Sequence, residues 1–148
     1  MEKEKDFSKT KTEKSAGAII RNRKGKYLLL HYPERPPRSR ERYWGLVKGH
    51  IEEGEKELET VKRETEEETG IDDLEIVDGF KEEISYTFQT EKDKIFKDVI
   101  FYLAKTKTED IKLSREHIGY KWAGFKEAVE TLTYKESKEI LKKAENFK

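Results

Sequence analysis

The chain has 148 residues and a mass of 17.6 kDa, which fits one domain and is too short for two of ordinary size. Charged residues make up 43% and hydrophobic residues only 33%, but seven Phe, seven Tyr and two Trp can supply a core and argue against a disordered chain. Basic and acidic residues both total 32, so no global polyanion-binding surface is indicated; Cys is absent, which excludes disulfides, thiolate nucleophiles and cysteine-held metals; and no apolar run approaches the roughly 18 residues of a membrane span.

Residues 1–14 are highly charged and lack the apolar stretch of a signal peptide. They read as a flexible tail, with a single domain over residues 15–148 and a cytoplasmic location expected. Residues 15–21 read as a strand, 22–25 as a turn and 26–32 as the returning strand of a hairpin. Residues 33–42 carry all three prolines and four arginines, a stiff, basic, exposed loop, and 43–47 form a short apolar segment. A turn at 52–54 leads into a helix that ends at Gly70, a suitable glycine for a left-handed cap. Residues 74–88 are a strand region in which Gly79 marks a bend or bulge. A turn over 89–94 precedes a buried strand at 95–104. After a loop at 106–114 comes a short strand, 120–125, with Trp122 inward, then helices near 125–132 and 134–147. This order predicts one mixed α+β domain.

The zero net charge hides an asymmetry. Residues 21–48 hold nine basic and two acidic residues, and residues 52–68 hold nine acidic and three basic ones. A basic arm beside an acidic block suits a polyphosphate held with divalent cations, since Arg and Lys meet phosphate and carboxylates meet metal. Two solvated segments that neutralise each other would give the same totals, so the spacing has to decide.

On a helix Glu64, Glu67 and Glu68 lie at i, i+3 and i+4, within an arc of about 100°. Three carboxylates on one face repel unless cations sit among them. Leu58, Val61 and Thr65 form a neighbouring stripe directed at the core, so the acidic face borders a cleft, where oxygen ligands suit Mg2+ or Mn2+. Gly49, Glu55, Arg63, Glu64, Glu67, Glu68 and Gly70 at this spacing would arise from this composition by chance about 2 times in 100,000, which disfavours an ordinary solvated helix.

The stretch resembles the Nudix box, Gly-x5-Glu-x7-Arg-Glu-U-x-Glu-Glu-x-Gly-U with U a bulky aliphatic, matched at Gly49, Glu55, Arg63, Glu64, Glu67, Glu68, Gly70 and Ile71. Thr65 departs from the pattern at the first U, where its hydroxyl is expected to bond back to the carbonyl of Val61. Beyond the box, Tyr43-Trp44, Lys48-Gly49-His50, Gly79-Phe80-Lys81, Lys97-x-Val99-Ile100, Ser114-x-Glu116-His117 and Tyr120-x-Trp122 are similar to the asymmetrical diadenosine tetraphosphate hydrolases within that family. Val47 replaces the proline that usually precedes their lysine. The resemblance implies the Nudix fold, an α/β/α sandwich around a mixed β-sheet.

The resemblance also implies the site. Glu64, Glu67 and Glu68 are the candidate ligands of Mg2+, with Mn2+ as an alternative, and the backbone carbonyl of Lys48 completes the shell. Arg63 supports the carboxylates; Glu55 is the partner the resemblance implies, and Glu59 and Glu67 are its i−4 and i+4 neighbours on the helix. Glu116 is a candidate ligand or base from another loop, and His117 is read as a structural hydrogen-bonding residue. Lys48 and Lys97 are the phosphate candidates, Tyr43 occupies a phosphate-contacting position, and Tyr86 and Tyr134 are candidates to stack on adenine. The implied reaction is metal-dependent hydrolysis of diadenosine tetraphosphate to ATP and AMP by water attack on phosphorus. The partner is then a small dinucleoside polyphosphate, with no membrane and no stable nucleic-acid partner. The alternatives are another Nudix specificity (nucleoside triphosphate, ADP-ribose or an RNA 5′ end) or a non-catalytic nucleotide-sensing module. The full Glu64, Glu67 and Glu68 set disfavours the sensor.

Overall fold

Strands with both faces apolar need cover on both sides, and the fold provides it. The computed structural model describes residues 10–36 and 39–147. Its strands are β1 (Thr10–Arg21), β2 (Tyr27–Tyr32), β3 (Tyr43–Gly45), β4 (Val47–His50), β5 (Glu75–Gln89), β6 (Lys94–Lys105) and β7 (Gly119–Ala123). Its helices are α1 (Glu57–Thr69), α2 (Phe125–Thr131) and α3 (Lys135–Asn146). The strands form one mixed sheet in the order β3-β2-β1-β6-β5, with β4 also pairing β1 and β7 pairing β2. β1 and β6 run parallel and the other pairs are antiparallel.

The alternation of β1 and β2 divides two cores. Ala16, Ala18, Ile20, Leu28 and Leu30 pack with Val61 and Ile71 under α1. Ile19, Leu29, Phe101 and Leu103 pack with Ala128, Leu132, Ile140 and Leu141 of the α2–α3 side. The result is the expected α/β/α layering around a mixed sheet.

Several expected features are present. Gly70 caps α1 in the left-handed region (φ 78°), its N–H donating to the Glu66 carbonyl at 2.9 Å. Gly79 has φ 95° and sits where the β5–β6 register shifts between Ile76 and Lys81. Other expectations need correction. β1 begins at Thr10, so residues 10–14 are strand rather than tail; they pair with Lys94–Asp98 of β6. The rest of the expected tail, residues 1–9, lies outside the described residues.

Two corrections concern α1. Leu58 is 40% exposed, and burial on the helix begins at Thr60, because α1 packs on β1 and β4 beyond its first turn. The Thr65 hydroxyl is buried without a hydrogen-bond partner, not bonded to the Val61 carbonyl; it is Thr69 that bonds back, to the Thr65 carbonyl at 2.6 Å.

Strand β4 positions the site. It pairs antiparallel with β1, Gly17 opposite Lys48 and Ala16 opposite Gly49. Gly17 permits the approach, since a Cβ there would lie 2.2 Å from the Val47 carbonyl oxygen. The strand thereby carries Lys48, Gly49 and His50 alongside α1.

Candidate active site

The centre of the helix–loop junction is Arg63. Its Nε and one terminal nitrogen grip Glu55 at 2.6 and 2.9 Å, and the same terminal nitrogen reaches the His50 carbonyl at 3.1 Å. Its other terminal nitrogen donates to Glu64 at 2.9 Å and Glu67 at 3.1 Å. A planar guanidinium with five N–H donors can serve all of these at once. Arg63 hydrogen bonds, reinforced by the Thr60 hydroxyl and the Glu52 N–H, hold the Glu55 carboxyl down at about 2. Glu59 is not an Arg63 partner: it accepts the Lys56 N–H at 2.7 Å, closing the first turn of α1.

The three candidate metal carboxylates separate by environment. Glu67 is exposed, bonds Arg63 and does not line the cavity described below. Glu64 lies against Gly49 so closely that a Cβ on that glycine would stand 2.0 Å from the Glu64 carboxyl carbon. Glu68 is 5% exposed. Burial, then hydrogen bonding to Glu64 and the charge of Glu64, push its carboxyl up to about 10, against the pull of Lys48; Glu116 adds to the upward push.

Glu68 Oε1 lies 3.4 Å from His117 Nε2 but without hydrogen-bond geometry, and it is otherwise unpartnered. His117 is buried, and burial followed by the charges of Lys48 and Arg35 lowers its pKa to about 4, so the imidazole is neutral. Its Nδ1 contacts the Ser114 hydroxyl at 3.1 Å, and the Ser114 N–H donates to the Glu68 carbonyl at 3.2 Å. That anchoring brings the loop carrying Glu116 to the end of α1.

Two carboxylates forced together, one with a buried orphaned oxygen, fit a hard dication in donor chemistry. Among the described residues, however, no three His, Asp or Glu side chains converge as a ready ligand group. Glu67 on Arg63 accounts for part of that arrangement.

Glu64 and Glu68 open onto a cavity of about 670 Å³. Lys48, Lys97, Tyr43, Tyr86, Tyr134 and Glu116 line it as well, so eight of the ten candidate site residues meet there, with Arg63 and Glu67 outside. The Lys48 ammonium lies 4.7 Å from the Tyr32 ring centre and 5.5 Å from that of Tyr43. Burial lowers its pKa and Glu68 opposes that shift. Lys97 stands opposite Tyr86 across the β5–β6 ladder.

The Tyr43 ring stacks on Tyr32 at 4.6 Å and tilts against Tyr134 at 5.2 Å. Sequence reading passed over Tyr32, whose hydroxyl donates to the Leu46 carbonyl at 2.5 Å. The signal was available, because Leu28, Leu30 and Tyr32 alternate onto one face and Tyr32 faces Tyr43 across the ladder. Arg35 and Ser39 are also in the wall; the basic character of the 33–42 loop pointed to its arginines as a group, and nothing in the sequence singled out Arg35 or Ser39.

The NUDIX domain model matches residues 11–144. The asymmetrical bis(5′-nucleosyl)-tetraphosphatase of Sus scrofa is 42% identical over 109 residues, 71% of each chain. That of Caenorhabditis elegans is 33% identical over 139 residues, 90% of this chain and 95% of the relative. Among solved structures, the C. elegans Ap4A hydrolase binary complex superposes with a TM-score of 0.74 at 32% identity, covering 90% of this chain and 95% of that one. The MutT protein from Methanosarcina mazei Go1 superposes with a TM-score of 0.67 at 31% identity, covering 93% and 96%. With the box docked on β4 through Arg63 and a family match spanning nearly all the described chain, this protein belongs to the Nudix family, as a Nudix pyrophosphohydrolase.

Proposed function

We propose that the chain hydrolyses diadenosine tetraphosphate to ATP and AMP. One observation carries the reading: a single cavity gathers the Glu64–Glu68 pair, the cations Lys48 and Lys97, and the rings of Tyr86 and Tyr134. Acidic, basic and aromatic groups in one cleft suit a substrate that is polyphosphate in the middle and a flat base at the ends. The names of the curated relatives support the same substrate.

Glu64 and Glu68, with Glu67 and the Lys48 carbonyl as further candidate ligands, would hold Mg2+ or Mn2+, which supplies polarisation of phosphoryl oxygens and a lowered pKa for water. Lys48 and Lys97 bind the phosphates and offset their charge in a partly desolvated site. Tyr43, whose hydroxyl accepts from the Lys48 ammonium at 3.5 Å, contacts the same phosphates. Glu116, on the loop anchored to α1, serves as a further ligand or as the base that takes a proton from the attacking water. Tyr86 and Tyr134 take an adenine, a contact worth roughly 1–3 kcal/mol per stacked base. Arg63 touches no substrate; it holds Glu55, Glu64 and the His50 carbonyl in register. Among the described residues no helix is long and apolar enough to cross a membrane.

The test is product analysis with magnesium over dinucleoside polyphosphates, nucleoside triphosphates, ADP-ribose and triphosphorylated RNA. ATP and AMP in equal amounts, formed fastest from diadenosine tetraphosphate, are expected. A higher kcat/KM on any other class would move the assignment to that class. No turnover on any of them would favour a sensor.

A further inference from the structure

The proline- and arginine-rich segment between β2 and β3 is not used by the reaction described above, yet one of its arginines reaches the cavity. Arg35 lies between Pro33 and Pro36, and the residue before a proline is confined to extended backbone. Its N–H and C=O both pair with Ser39, at 2.7 and 2.9 Å. The backbone of Arg35 is therefore held by a two-rung bridge, and both Arg35 and Ser39 line the cavity.

The guanidinium donates to the carbonyl of Glu116, another lining residue, at 3.4 Å, at the long limit of a hydrogen bond. Among the described residues no carboxylate pairs with it, whereas the nearby Arg42 is occupied by Glu34 at 3.2 Å. Its charge is felt by two groups in the wall: it opposes the burial that raises the Tyr43 pKa, and it adds to the burial and the Lys48 charge that lower that of His117. An exposed arginine with one weak neutral partner, aimed at a cleft already lined by Lys48 and Lys97, has its fork of donors available to an anion.

We infer that Arg35 is a substrate-binding residue that takes an outer phosphate of the polyphosphate chain and so favours long phosphate chains over short ones. The Glu116 carbonyl is given up when phosphate arrives, which exchanges a long neutral hydrogen bond for short charge-assisted ones. Because Lys48 and Lys97 are each point charges, Arg35 adds the bidentate contact to the site. The inference rests on the reading of the cavity as a polyphosphate site.

Arg35→Met and Arg35→Lys decide it. Calorimetric titration in magnesium should use the β,γ-methylene analogue of ATP and, separately, AMP. Arg35→Met is expected to weaken binding of the triphosphate analogue about 5- to 20-fold and of AMP less than twofold, with the salt dependence of the triphosphate reduced. Arg35→Lys should recover part of the loss. The thermal midpoint should stay at the wild-type value, since the side chain is exposed. Unchanged triphosphate affinity in Arg35→Met, or equal losses for triphosphate and AMP, would overturn the inference, as would a wild-type protein that binds the triphosphate no more tightly than AMP. If the wild type fails to release ATP and AMP from diadenosine tetraphosphate, the substrate reading falls, while the binding comparison still decides Arg35.

Discussion

Gly49→Ala adds one methyl group to a site with no room for it. The new Cβ would lie 2.0 Å from the Glu64 carboxyl carbon, 2.2 Å from Oε2 and 2.4 Å from Cγ. The clash reaches up the side chain to Cγ, so a turn of the terminal carboxylate cannot relieve it. Glu64 must swing out, and its 2.9 Å bond from Arg63 is lost. Overpacking costs about 1–3 kcal/mol and a charge-assisted hydrogen bond about 1.5–3 kcal/mol when fully buried. Glu64 is 16% exposed and can turn towards the cavity, so the lower part of the range applies, about 1–2 kcal/mol.

Turnover should fall much further, because a ligand carboxylate displaced by about 1 Å or more costs on the order of 100-fold. In a Glu64→Ala background the three atoms nearest the new methyl are gone, and Gly49 is not among the glycines with positive φ, so its cost should drop below about 0.5 kcal/mol. Urea denaturation of the four proteins, with magnesium-dependent turnover measured in parallel, closes the cycle. A Gly49→Ala protein within about 0.3 kcal/mol of wild type and within threefold in kcat would refute the packing of Glu64 on Gly49.

Glu68→Gln replaces a buried carboxyl, held protonated beside Glu64 in the metal-free fold, by a permanently neutral amide of nearly the same volume, and so removes the cost of burying an ionisable group. The metal-free variant should unfold at or above the wild-type midpoint while kcat falls by orders of magnitude, and near wild-type kcat at saturating magnesium would contradict the ligand assignment. Arg63→Met should lower stability at neutral pH. Since the Glu55 carboxyl falls from its ordinary 4.5 to about 2 in the fold, that stabilisation is present above pH 4.5 and lost as pH drops towards 2, so the gap between wild type and variant should close over that interval in acid titrations followed by circular dichroism. Tyr86→Ala and Tyr134→Ala should each raise KM for diadenosine tetraphosphate by roughly 5- to 100-fold with the fold intact, as expected for a lost stacking contact; wild-type KM in both would return the rings to structural roles.

Much of the architecture was legible because it is local. The turn at 22–25 with the apolar run after it located β2, apolar patterning located β6, Gly70 ended α1, Gly79 placed the irregularity in β5, and the aromatic and aliphatic spacing after residue 120 located β7 and the two final helices. What escaped was non-local. Residues 10–14 are polar, and only pairing with β6 makes them strand. No element is expected over 48–50, and only pairing with β1 makes 47–50 the strand β4. Leu58 has the right helical phase for the core, yet in the first turn of α1 it stays 40% exposed.

The site divides in the same way. Spacing along one helix sufficed to nominate Glu64, Glu67 and Glu68, because side-chain direction on a helix follows from residue number. It could not say that Glu68 would be buried, Glu64 pressed against Gly49 and Glu67 left outside on Arg63. Those differences depend on which strand lies beside the helix and which loop closes over its end. Likewise Lys48, Lys97, Tyr86, Glu116 and Tyr134 are spread across almost ninety residues of sequence. The chain by itself determined the chemical types and the elements that carry them. Only tertiary structure decided that they face one cavity, because the register of β4 on β1 and the anchoring of Ser114 to Glu68 are set by contacts between distant segments.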